Sequence, residues 1–83
     1  MIVISDVKEM NAWLQTALKS EILDAQREVC FTSYENDIYR MKYIERRNID
    51  FIADALGYET RKISRDLKIL REKMTRFKNL KVN

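Results

Sequence analysis

The side chains with the clearest chemical capacity lie between Thr60 and Lys78. Wound at about 100° per residue, this stretch brings Arg61, Arg65, Lys68 and Arg76 within about 40° of one line, and Ile63, Leu67, Leu70, Met74 and Phe77 within about 40° of the opposite line. One face of such a helix belongs in a core, and the other offers guanidinium and ammonium groups to an anion. The charge distribution points the same way. Residues 1–38 carry three bases against seven acids, whereas 39–83 carry thirteen bases against six acids, so a net charge of only +3 hides a basic C-terminal half.

Other chemistries are excluded or disfavoured. With no histidine in the chain, His-based acid–base catalysis, Ser-His or Cys-His nucleophiles and the usual zinc sets cannot be built. No enzyme, metal or cofactor is expected. Asp6, Glu9, Glu21, Asp24, Glu28 and Asp37 read as a solvated helix face. Cys30 is the one cysteine, so it forms no internal disulfide; it is expected to be a buried or half-buried apolar residue in a reducing, cytoplasmic setting. The apolar run Met1 to Ile4 ends at Ser5-Asp6, far short of a signal segment or of the roughly 20 residues a membrane span needs, so no membrane partner is expected.

The elements that must position the cationic face are helical. Proline is absent and Gly57 is the one glycine, which restricts turns needing a positive φ to a single point. The expectation is an all-α fold: one domain over 1–83 with four helices, at about 6–29, 34–46, 49–56 and 60–78. The first starts near Ser5 or Asp6, either of which can cap, and carries Val7, Met10, Leu14, Leu18, Ile22, Ala25 and Val29 at helical spacing, either unbroken or interrupted near Lys19-Ser20. Thr32 and Glu35 have capping-box spacing before the second, whose inner face is Tyr34, Ile38, Met41 and Ile44. Tyr34, Tyr39 and Tyr43 read as half-buried edges of the core. Asn48 can cap the third, where Ile49, Ile52, Ala53 and Leu56 repeat without a miss, and Gly57 ends it. Glu59 or Thr60 can open the fourth. Its apolar stripe suits either packing within the chain or a subunit interface.

A short helix, a three-residue turn with glycine and a longer basic helix make the spacing of a helix-turn-helix, here about 49–68. Counted from Ile49, Ile52 and Ala53 fall where the two helices cross closely, Gly57 falls in the turn, and Ile63 falls where the second helix buries a branched side chain. The stretch Ile49-Asp50-Phe51-Ile52-Ala53-Asp54-Ala55-Leu56-Gly57-Tyr58 resembles the first half of the motif in region four of bacterial sigma factors and in related small phage regulators. Ile63-Ser64-Arg65-Asp66-Leu67 resembles the recognition helix of DeoR-type repressors. Two departures stand out: Asp66 occupies a position that is usually apolar, with its buried role passed to Leu67, and no strands for a DeoR-type wing follow Leu70. A wingless unit with an added N-terminal helix is expected.

The resemblance implies a sequence-specific regulator of transcription that binds double-stranded DNA, of phage or mobile-element origin. It assigns base reading to Thr60, Arg61, Ser64 and Arg65; arginine can pair bidentately with guanine, whereas Ser and Thr select less. Lys62, Lys68, Arg46, Arg47 and Asn48 are better placed for phosphates, Asn48 because it opens a helix whose free N–H groups attract anions, and Tyr58 could reach a phosphate through its hydroxyl. A homodimer is expected, since one small domain reads few base pairs, and RNA polymerase or another regulatory protein is a further partner class. The alternative is a protein-binding module that keeps the helix-turn-helix shape, of the antirepressor, anti-sigma or anti-CRISPR type.

Overall fold

A computed structural model describes residues 7–82, with the side chains of 7–77. Ser5 and Asp6, the expected caps of the first helix, lie outside the described residues. Those residues form five α-helices and no strand: α1 (Val7–Thr16), α2 (Lys19–Glu28), α3 (Ser33–Tyr39), α4 (Ile49–Leu56) and α5 (Thr60–Val82). A π-helical turn, Arg40–Ile44, continues α3. None of the described helices is long and apolar enough to cross a membrane.

The expected first helix is two. It breaks at Ala17-Leu18, where Leu18 adopts an extended backbone (φ −66°, ψ 150°). No glycine or proline marks the break. The Leu18 N–H instead donates to Glu21 Oε1 at 3.0 Å, and Arg46 reaches from a distant loop to donate to the Leu14 carbonyl at 3.0 Å. Helix ends leave backbone groups without partners, and these two side chains supply them. Leu18 therefore leaves the stripe and is 69% exposed, while Met10, Leu14, Ile22, Ala25 and Val29 stay buried.

The second helix opens as its spacing predicts. Thr32 Oγ1 accepts from the Glu35 N–H at 3.2 Å, and Glu35 Oε1 accepts from the Thr32 N–H at 2.8 Å. Its inner face differs from expectation, because the π turn inserts a residue into the helical repeat and rotates the residues beyond it. The Glu45 N–H bonds to the Arg40 carbonyl five residues back. Ile38, Tyr39 and Tyr43 are buried, with Met41 and Ile44 only partly so. Tyr39 and Tyr43 are thus core residues rather than half-buried edges, although Tyr34 is half-buried as expected. Tyr39 donates its hydroxyl to the Ile22 carbonyl at 2.6 Å, and Tyr43 accepts from Arg71 at 3.1 Å. The turn closes with Arg46 in the left-handed region (φ 58°), a conformation that non-glycine residues adopt at a cost. Cys30 is exposed, not buried, beyond the end of α2 where Val29 takes the inward position.

Helix α4 begins at Asn48, whose Oδ1 accepts from the Phe51 N–H at 2.8 Å, and ends at Gly57 (φ 75°). The Tyr58 N–H returns to the Ala53 carbonyl at 2.9 Å and the Gly57 N–H to Asp54 at 3.4 Å, closing the helix as a glycine terminus does. Three residues later α5 starts. At about 1.5 Å per residue its 23 residues span about 34 Å, close to the 39 Å long axis of the molecule. Helices α1, α3 and α4 all pack on α5. Ile63, Leu67, Leu70 and Met74 are at most 1% exposed and join Met10, Leu14, Ile38 and Ile52 in one core, so this part of the apolar stripe is intramolecular. Full burial contributes about 1.5–3 kcal/mol per such side chain, and an exposed ion pair about 0–1 kcal/mol. Packing, not surface charge pairing, holds α5 in place.

Candidate nucleic-acid interface

With Ile63, Leu67 and Leu70 buried, the 3.6-residue repeat turns the opposite line of α5 to solvent. Thr60, Arg61, Ser64, Arg65 and Lys68 are all exposed. Among the described residues, Arg61, Ser64 and Lys68 make no ion pair or side-chain hydrogen bond. Arg65 approaches the neighbouring Asp66 at 3.7 Å with 65% of its side chain exposed, a contact too open to hold it. The outer line is thus a set of uncommitted donors over the first three turns of a rigid helix.

The other residues marked by the sequence are more occupied. Asn48 spends its side-chain oxygen on the Phe51 N–H, as the cap of α4. Arg47 lies over the Phe51 ring, 4.6 Å from guanidinium carbon to centroid, and stands 3.8 Å from Glu45. Arg46 is committed to Leu14 at the end of α1. Tyr58 is 45% exposed and meets the Tyr34 ring edge-on, with centroids 5.5 Å apart at 80°. Lys62, expected at a phosphate, donates to Asp66 Oδ2 at 2.9 Å and sits 5.1 Å and 5.2 Å from the centroids of Tyr34 and Tyr58.

Asp66 explains its own departure from the apolar pattern. Only 15% of its side chain is exposed, and Tyr34 donates to Oδ2 at 2.6 Å, alongside Lys62. Burial pushes the carboxyl up, but the bonds from Tyr34 and Lys62 outweigh it and hold Asp66 below its ordinary value. Burial first, then the same bond to Asp66, pushes the Tyr34 hydroxyl well above the ordinary tyrosine value. Glu35 shows a parallel balance. Burial raises it, yet the Thr32 N–H and Lys73 at 3.0 Å win and lower it. The Lys62–Asp66 pair had a sequence signal in its i, i+4 spacing. Tyr34–Asp66 had none, because the partners are 32 residues apart.

Acids border the basic line, and their role is not apparent from the sequence. Asp50, Asp54 and Glu59 are exposed and line, with Tyr58, Thr60 and Arg61, an open cleft of about 660 Å³ between α4 and the start of α5. Asp50 and Asp54 share a face of α4 by their i, i+4 spacing, which was the one clue to it. The surface is therefore mixed at its upper end and mainly cationic further along α5, at Arg65 and Lys68. Compared with models of protein families, with curated proteins and with solved structures, the chain has no match.

Proposed function

We propose that this chain binds double-stranded DNA sequence-specifically as a regulator of transcription, with α4, the Gly57 turn and α5 acting as a helix-turn-helix. The observation that carries the reading is the exposure of Arg61, Ser64, Arg65 and Lys68 along one line of a helix whose opposite line is sealed in the core. A helix so presented can enter the major groove, where arginine pairs with guanine O6 and N7 and lysine neutralises phosphate. The glycine-closed turn after α4 supports the motif, and the unbroken run of α5 to Val82 supports a form without a wing. Arg47 and the free N–H groups at the start of α4 supply a phosphate contact on the first helix of the pair.

A homodimer belongs to this reading, because doubling a small contact set is the usual route to specificity. Since Ile63, Leu67, Leu70 and Met74 are buried within one chain, the subunit interface lies elsewhere on the surface. Light scattering is expected to give about twice the 10.0 kDa chain mass. The carboxylates Asp50, Asp54 and Glu59 beside Arg61 favour a second reading, a module that binds a protein surface carrying both signs of charge. Titration of fluorescent duplexes at increasing salt separates the two. DNA binding through about four to six basic contacts per subunit is expected to give a log-log salt slope of about −4 to −5, near double for a dimer, because each neutralised phosphate releases counterions. A flat response, or no binding at low salt, overturns the DNA reading in favour of a protein partner.

A further inference from the structure

Helix α5 has a third face, between the buried line and the cationic one. Lys62, Asp66, Ile69 and Lys73 recur at four-, three- and four-residue spacing and so line a single flank. That flank meets the first turn of α3. Asp66 accepts from the Tyr34 hydroxyl at 2.6 Å, and two turns further along α5 Lys73 bonds Glu35 at 3.0 Å and the Cys30 carbonyl at 3.0 Å. Consecutive residues of α3 thus hold α5 at points seven residues apart. Apolar packing alone tolerates sliding and rotation, because dispersion and hydrophobic contacts lack direction. Hydrogen bonds to a carboxylate are directional and strong. The Lys62 ammonium closes the arrangement from α5 itself, lying against two tyrosine rings set nearly perpendicular to each other.

We infer that Tyr34, Asp66 and Lys62 form a clamp that fixes the rotation of α5 about its own axis, so that Arg61, Ser64 and Arg65 are pre-aimed outward, and that Lys62 serves this clamp instead of contacting phosphate. The inference rests on the reading of the outer line as a DNA-reading surface. Tyr34 and Asp66 are positioning residues: they lie on the flank of α5, and they act through Arg61 and Arg65. A recognition helix free to roll would give up affinity to ordering its side chains on binding, and a pre-set one avoids that cost. Asp66 at a position that the motif usually leaves apolar is then a feature of the clamp.

Three substitutions, two of them also combined, test this. Tyr34→Phe keeps the ring and its edge contact with Tyr58 but removes the donor, and Asp66→Asn removes the charge while keeping the shape. Tyr34→Phe is expected to weaken specific DNA binding by about five- to tenfold, the size of one directional hydrogen bond, and Asp66→Asn by less, since its amide oxygen still accepts from Tyr34 but without the charge; both leave the salt slope unchanged, because no phosphate contact is lost. The double variant is expected to cost no more than the larger single loss, as two ends of one bond do. Lys62→Gln is expected to leave the slope unchanged as well; a slope shallower by about 0.9 would make Lys62 a phosphate contact and overturn its place in the clamp. The clamp is also read without DNA, by following the ring carbon resonances of Tyr34 on base titration. In the parent, Tyr34 is expected to remain protonated well above the ordinary tyrosine value, and in Asp66→Asn to ionise at clearly lower pH. Identical titrations overturn the clamp itself. A parent that titrates as expected but shows no salt-dependent DNA binding retains the clamp and overturns its role in aiming a DNA-reading face.

Discussion

The connections α1–α2 and α4–α5 do the same geometric task by opposite means. Each joins two helices through two or three residues. Between α4 and α5 the chain writes its own instruction: Gly57 takes the left-handed conformation that closes α4, three residues before α5 begins. Between α1 and α2 the chain carries Ala17 and Leu18, neither a helix stop, and the break is secured by Glu21 on the Leu18 N–H and by Arg46 on the Leu14 carbonyl. Arg46 arrives from 32 residues away and holds a left-handed backbone of its own. A turn built from local residues is legible in the sequence, and a turn held by a distant side chain is not. The α4–α5 turn also carries the candidate interface on its far side, whereas the α1–α2 turn exposes only Leu18.

Substitutions can break or sharpen this contrast. The largest effect is expected for Ile63→Ala in α5. Removing a side chain with no exposed surface should cost about 2–5 kcal/mol of stability, seen as a lowered melting temperature. A loss under about 1 kcal/mol would mean that the α4–α5 contact is not the anchor described. Arg65→Ala should separate binding from folding at the same helix: stability within about 0.5 kcal/mol of the parent, with about 1–3 kcal/mol lost from specific DNA binding. If the variant binds as the parent does, the outer line of α5 is not the reading surface.

Gly57→Ala probes the local turn alone. A Cβ at Gly57 would meet nothing within 4 Å, so any penalty comes from the backbone at φ 75°. About 1–2 kcal/mol of destabilisation is expected in chemical denaturation, and a neutral result would show that the turn shifts to relieve the strain. The smallest effect is assigned to the other connection. Leu18→Ser, at a side chain 69% exposed, should change stability by less than about 0.5 kcal/mol. A loss typical of a core leucine would restore Leu18 to the apolar stripe and erase the contrast between the turns.

Much of the fold was legible because its signals are short-range. Helical spacing located every apolar core position of α5 from Ile63 to Met74, and Thr32 with Glu35, Asn48 and Gly57 marked ends that the backbone respects. The exposed line of Arg61, Ser64, Arg65 and Lys68 comes from the same periodicity, since burying one face of a regular helix turns the opposite face outward. Tyr43 departs from expectation because the π turn changes the repeat on which a wheel depends, and nothing at Arg40–Ile44 announces it; Tyr39, in α3 ahead of that turn, is buried with its hydroxyl on the Ile22 carbonyl, a partner 17 residues away. Cys30 went the same way, its burial being decided by where α2 stops.

The sequence by itself determined an all-helical chain, the α4–turn–α5 unit, and the segregation of apolar from cationic side chains on α5, because each depends on residues within a turn or two of one another. Tertiary structure alone decided where the first helix breaks, that the stripe from Ile63 to Met74 is spent inside the chain, and that Lys62 belongs to Asp66 and Tyr34. Those outcomes depend on pairs such as Arg46 with Leu14 and Tyr34 with Asp66, each 32 residues apart. Partners that distant meet only after the helices have packed, and no periodicity along the chain records which of them will be close.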